Sequence, residues 1–174
     1  MKWEQIIGQQ SIKNLLKDSI KDSRVGHAQL FVGEEGFGVL PLALAMAQEI
    51  FEKENPASVH KVENLNHLDL HFSFPVFTEN KNSLSKRLFD QWREFILENP
   101  YSSFDDWTSF LESENKQFFI SADEAEDIGQ RFNLKSFEGG SKILIVWRAD
   151  KMNDAAANKI LKFLEEPPKN TFII

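Results

Sequence analysis

The stretch that most constrains this chain is an apolar run, Ala28-Gln29-Leu30-Phe31-Val32, followed by the glycine-rich Gly33-Glu34-Glu35-Gly36-Phe37-Gly38-Val39-Leu40 and then Pro41-Leu42-Ala43-Leu44-Ala45-Met46-Ala47-Gln48. The order reads as a buried strand, a glycine turn and a helix with proline in its first turn. Such a turn aims backbone N–H groups at whatever lies before the helix, which is the geometry of a phosphate-binding loop. A working loop has the pattern G-x-x-x-x-G-K-[S/T]: the lysine reaches the outer phosphates and the hydroxyl holds Mg²⁺. Here the lysine position is Val39 and the hydroxyl position is Leu40. Gly33, Gly36 and Gly38 keep the turn, but a charge-assisted hydrogen bond worth roughly 1.5–3 kcal/mol is gone. Glu34 and Glu35 add like-charge repulsion against a phosphate. The octamer is also readable as a glycine turn unrelated to nucleotides.

With 174 residues, 41% hydrophobic and 27% charged, the chain suits one α/β domain with a sizeable core. No apolar run is long enough to span a bilayer and the first residues lack a signal-peptide pattern, so a cytoplasmic protein is expected. Zero cysteines exclude disulfides and cysteine-ligated zinc. A net charge of −7 argues against a stand-alone nucleic-acid binder. Residues 51–138 carry 17 acidic against 9 basic side chains, whereas 139–174 carry 4 against 6. The excess acid therefore lies in the middle of the chain.

Helical spacing of Ile12, Leu15, Leu16 and Ile20 predicts an amphipathic helix over Gln9–Lys21, with that face in the core. His27 lies in a polar connection and reads as solvated or capping. Leu68, Leu70, Phe72, Phe74 and Val76 alternate with polar residues, the period of a half-buried strand ending near Pro75. On such a strand His67, Asp69 and His71 would share a face, but without a fourth partner they read as a polar face and no metal is expected. Leu84, Leu88, Trp92, Phe95 and Ile96 predict one helix, and Phe104, Trp107, Phe110 and Leu111 a shorter one capped by Ser103-x-x-Asp106. These helices form an acidic insertion over about 78–118, whose rings are expected to build a small satellite core rather than a partner-docking surface. Ser121-x-x-Glu124 caps a helix with Ala125, Ile128 and Phe132 on one face.

Lys142-Ile143-Leu144-Ile145-Val146-Trp147 is continuously apolar, as a central parallel strand requires. Asn153 can cap a helix with Ala157, Ile160, Leu161 and Leu164 on one face, ended by Pro167-Pro168. Thr171–Ile174 begins a further buried strand. The chain is therefore expected to be the N-terminal part of a longer protein, incomplete at its C-terminus.

The segment Ala155-Ala156-Ala157-Asn158-Lys159-Ile160-Leu161-Lys162-Phe163-Leu164-Glu165-Glu166-Pro167-Pro168 resembles the A-x-N-x-L-L-K-x-L-E-E-P-P signature of bacterial clamp-loader AAA+ subunits of DNA polymerase III. Trp3–Gln9 and His27–Gly33 resemble the same family, leaving about 78–118 unexplained. The resemblance implies an α/β fold: a three-layer AAA+ P-loop NTPase-type parallel sheet, truncated, carrying the helical insertion. It also locates the Walker B carboxylates of active members at Trp147 and Arg148, neither of which can hold Mg²⁺ or polarise water.

Both half-sites then lack their chemistry, so the family resemblance implies a non-hydrolysing subunit with no catalytic residue, no ATP and no zinc. The zinc module that such subunits often carry near Asn66–Leu70 would need cysteines absent here. The implied partners are ATP-binding tau/gamma-type and delta-type subunits, with the sliding clamp and primed DNA reached through the complex, and no membrane. Two other classes compete with this expectation: a P-loop ATPase or kinase using Lys142 or Lys151 in place of Val39, and an AAA+-derived scaffold outside replication.

Overall fold

The computed structural model describes all 174 residues. Seven α-helices and three strands follow in the order α1 (Gln10–Lys21), α2 (Val39–Glu54), α3 (Val59–Glu63), β1 (Leu70–Ser73), α4 (Phe89–Glu98), α5 (Phe104–Phe110), α6 (Ala122–Phe132), β2 (Lys142–Val146), α7 (Asp154–Glu165) and β3 (Thr171–Ile173). The sheet is parallel, in the order β1-β2-β3, with Leu70 opposite Ile143 and Ile143 opposite Phe172.

Alternation along β2 sorts the layers, because neighbouring side chains point to opposite faces. Ile143 and Ile145 join Leu70 and Phe72 in a main core of 28 buried residues with α1, α2 and α3. Leu144 faces the other way, into a five-residue cluster with Ile128, Phe132, Ile160 and Ile173 from α6, α7 and β3. The sheet thus lies between two helical layers, as an α/β fold of this class requires.

The run at 28–32 does not form the expected strand. Only Ala28 bridges to Ile173, and Leu30 and Val32 are 82% and 84% exposed. Backbone pairing with β3 ends at Gln29, whose N–H donates to the Ile173 carbonyl at 2.8 Å. The strand predicted from Leu68 shortens to β1, since His67–Asp69 is a turn closed by Leu70 N–H donating to the His67 carbonyl at 3.1 Å. Leu68 is consequently exposed.

Two helix faces also differ from expectation. In α1 only Leu16, Ile20 and the Lys13 stem are buried, while Ile12 and Leu15 face outward. Lys13 Nζ donates to the Trp3 and Ile6 carbonyls, tying the N-terminal turn to this helix and rotating its inner face. In α7, which packs on α6, the buried positions are Ala156 and Ile160 rather than Ala157 and Leu161.

The insertion is helical and contains no sheet strand, but it does not form a satellite core. Its first predicted helix starts as a tight turn at Ser85–Leu88 before α4. Trp92, Phe95, Ile96 and Trp107 belong to the main core. Trp92 stacks on Phe74 at 4.7 Å between ring centroids, and Trp107 Nε1 donates to the Pro75 carbonyl at 3.1 Å. Burying large rings against the chain beyond β1 stabilises more than a separate cluster could. The small cluster lies on the opposite face of the sheet.

Candidate functional site

The glycine loop sits between Ala28 and α2, and its shape depends on two residues with positive φ, Gly36 at 80° and Gly38 at 90°. Gly38 caps α2, and Val39 is its first residue. Gly33 is needed for a different reason: a Cβ there would lie 2.8 Å from Val39 Cγ2. The aliphatic side chain at the lysine position is thus folded back over the start of the loop. Leu40, at the hydroxyl position, is buried in the main core, and Pro41 takes one N–H donor from the first turn.

The second half of the site lies past β2. Trp147 is partly buried against the main core, with centroids 6.3 and 6.4 Å from Trp92 and Phe95, and its N–H donates to the Ser73 carbonyl at 2.9 Å. Arg148 follows in the left-handed region at φ 60°. Its guanidinium forks onto Asp150, Nε to Oδ1 and Nη2 to Oδ2 both at 2.7 Å, and Nη1 donates to Glu35 Oε1. The Asp150 hydrogen bonds come first in raising the arginine pKa above its ordinary value, with the Asp150 and Glu35 charges also contributing. Arg148 in turn holds the Asp150 carboxyl below the usual carboxylate range.

Glu35 therefore joins the two half-sites. It accepts from Arg148 and from the Phe104 N–H, the latter at 3.0 Å, so the loop, the end of β2 and the insertion meet at one carboxylate. Sequence reasoning treated Glu35 only as repulsive to phosphate and missed Tyr101, Phe104 and Asp150. The signal in the sequence is one of complementary charge, an acid in the glycine loop and a base directly after the apolar run of β2. Chemically, the arrangement offers a filled ion pair and aliphatic contacts where a metal triphosphate would need a lysine, a hydroxyl and free carboxylates.

Of the two lysines offered in place of Val39, Lys142 is held away from the loop. Lys142 Nζ donates to the Phe132 and Leu134 carbonyls at the far end of β2, where burial lowers its pKa. Lys151 Nζ lies over the Phe104 ring, 4.6 Å from its centroid.

The histidines do not converge. His67 Nδ1 accepts the Asp69 N–H at 3.2 Å, and its ring packs on Phe51. The Asp69 carboxylate takes the Phe137 and Glu138 N–H groups, both at 2.8 Å. His71 faces the opposite side, edge-on to Phe132. His27 Nε2 lies 3.1 Å from the Leu164 carbonyl in the last turn of α7, a capping position. A cleft of about 500 Å³ does open at the N-terminal ends of the strands, lined by Glu54, His67, Asp69, Glu138, Ser141 and Asn170 among others. Its carboxylates at 54 and 69 are occupied by neighbouring N–H groups, and no three metal-ligating side chains come together.

A family model described as "DNA polymerase III, delta subunit" matches residues 8–174. The "DNA polymerase III subunit delta'" of Bacillus subtilis (strain 168) is 28% identical over 173 residues, which is 95% of this chain and 40% of that protein. The subunit of the same name from Buchnera aphidicola (subsp. Acyrthosiphon pisum) is 36% identical over 67 residues, 38% of this chain and 20% of that protein. The one from Haemophilus influenzae is 36% identical over 55 residues, 32% of this chain and 17% of that protein.

Proposed function

The chain belongs to the DNA polymerase III delta subunit family, and from that premise we propose that it is part of a non-hydrolysing, delta-prime-type subunit of the clamp loader, serving DNA replication in the cytoplasm. Its work is to hold a fixed shape beside ATP-binding tau/gamma-type and delta-type subunits, so that the assembly opens the sliding clamp and places it on primed DNA. Residues 1–174 form the N-terminal AAA+ domain, with 78–118 as its insertion. It needs neither ATP nor zinc.

The observation that carries this reading is the Glu35–Arg148 ion pair, which links a loop lacking its lysine and hydroxyl to a strand end lacking its carboxylates. Loss at one half-site alone would leave a weakened enzyme; loss at both leaves nothing for hydrolysis to act through. The test is calorimetry with Mg-ATP on the full-length protein, together with a turnover assay. No binding at micromolar protein and no turnover are expected, and Val39→Lys with Leu40→Thr should at most restore binding. Micromolar affinity or turnover in the unmodified protein would refute the proposal.

A further inference from the structure

We infer that the corner joining α4 to α5, Asn99–Phe104, is a built-in strap that braces the glycine loop, and that Tyr101, Glu35 and Arg148 fasten it. A loop whose shape depends on two positive-φ glycines needs an external brace to stay in one conformation. In a nucleotide-binding loop the phosphates supply that brace; here the insertion reaches it from three directions.

Tyr101 hydroxyl accepts the Ile7 N–H at 2.9 Å, pinning the N-terminal segment. The Tyr101 ring lies 3.5 Å from where a Cβ on Gly38 would stand, and its carbonyl 3.9 Å from one on Gly36. The Phe104 N–H donates to Glu35 at 3.0 Å. Arg148 completes the fastening by joining Glu35 while lying over the Phe104 ring, 5.2 Å from its centroid.

The corner is rigid enough to brace something else. Tyr101 N–H donates to Asn99 Oδ1 at 3.0 Å and Ser102 N–H to the Asn99 carbonyl at 3.2 Å. Ser103 and Asp106 close a reciprocal cap at the start of α5. Trp92 and Trp107, one on each flanking helix, are fully buried. The strap assigns the insertion a purpose that its acidic, aromatic sequence does not reveal. It goes beyond the proposed non-hydrolysing role and stands on the contacts of Tyr101, Phe104, Glu35 and Arg148 themselves.

Amide hydrogen exchange on the full-length protein, with and without Mg-ATP, tests it. Without nucleotide, the amides of Ile7, Phe37 and Phe104, each hydrogen-bonded in the structure, should be protected. Tyr101→Phe, which removes only the hydroxyl, should speed exchange at Ile7. Glu35→Ala should speed exchange at Phe104 and Phe37 by about two- to fivefold, the size appropriate to a half-exposed pair. Protection within α2 should not change in either variant, which separates a local release from general destabilisation. Wild-type rates at Ile7, Phe37 and Phe104 in both variants would overturn the strap, as would unprotected Ile7 and Phe104 amides in the wild type. Added protection by Mg-ATP would instead overturn the silent-loop reading, and the nucleotide-free variants would still decide the strap.

Discussion

A histidine that would read as a metal candidate is instead a pH-dependent element of the core. Burial lowers the His71 pKa to about 4 from 6.5, with the Arg131 and Lys142 charges acting in the same direction and Asp69 and Asp127 against it. A pKa lower in the folded state means that the unfolded chain binds the extra proton between these values. Stability from the neutral ring is then fully present above about pH 6.5 and is lost as pH falls toward 4, by up to roughly 3 kcal/mol. His71→Phe keeps an aromatic ring against Phe132 and removes the titration. Urea unfolding at pH 7 and pH 5 should show a smaller loss of stability for the variant than for the wild type, and equal losses would exclude His71 as the cause. Lys142 makes a related point about buried charge: its position before an apolar run says strand, but only the fold shows that its ammonium group closes the end of α6.

Elements whose determinants are local could be read from the sequence, and those whose determinants are distant could not. Ser103 shows the first case: its hydroxyl accepts the Asp106 N–H at 3.1 Å while Asp106 accepts the Ser103 N–H at 2.8 Å, as the spacing predicts. The Ser103 N–H first, and then the Ser103 hydroxyl donating to Asp106 Oδ2 at 2.7 Å, hold the Asp106 carboxyl below its ordinary value. Ser103→Ala should cost about 1 kcal/mol, measured by chemical unfolding, and an unchanged midpoint would show that α5 is held by Trp107 alone. Ser121 caps α6 in the same way, but Glu124 does not reach back; it is buried and accepts the Ser85 N–H and hydroxyl at 2.8 and 2.5 Å. A partner 39 residues away took the carboxylate that local spacing assigned to the cap. The same limit explains the run at 28–32, where apolar composition says strand while pairing depends on how far β3 extends. It explains the candidate site too: the glycine turn and the end of β2 are each legible alone, but the contact between Glu35 and Arg148, 113 residues apart, depends on the fold.

Across the whole molecule, the two layers flanking the sheet are unequal. The α2 side contributes an almost wholly buried helix, with Leu40 through Gln48 all inaccessible, to the 28-residue core. The opposite layer rests on five buried residues, and α7 buries only Ala156 and Ile160 while leaving Leu161 half exposed. Hydrophobic stabilisation scales with the apolar area removed from water, at about 25 cal/mol per Å², so detaching α7 forfeits much less than detaching α2. Polar contacts do not redress this: the Lys159–Glu126 ion pair between α7 and α6 is about half exposed on both sides, and such pairs contribute about 0–1 kcal/mol. The layer carrying the Ala155–Pro168 segment is thus the one held least firmly. Local opening should follow that order. In native-state hydrogen exchange at low denaturant, α7 amides are expected to exchange through a sub-global opening of lower free energy than α2, whose amides should require global unfolding. Equal opening energies for α7 and α2 would show that the sheet couples both layers into one cooperative unit, despite the difference in what each buries.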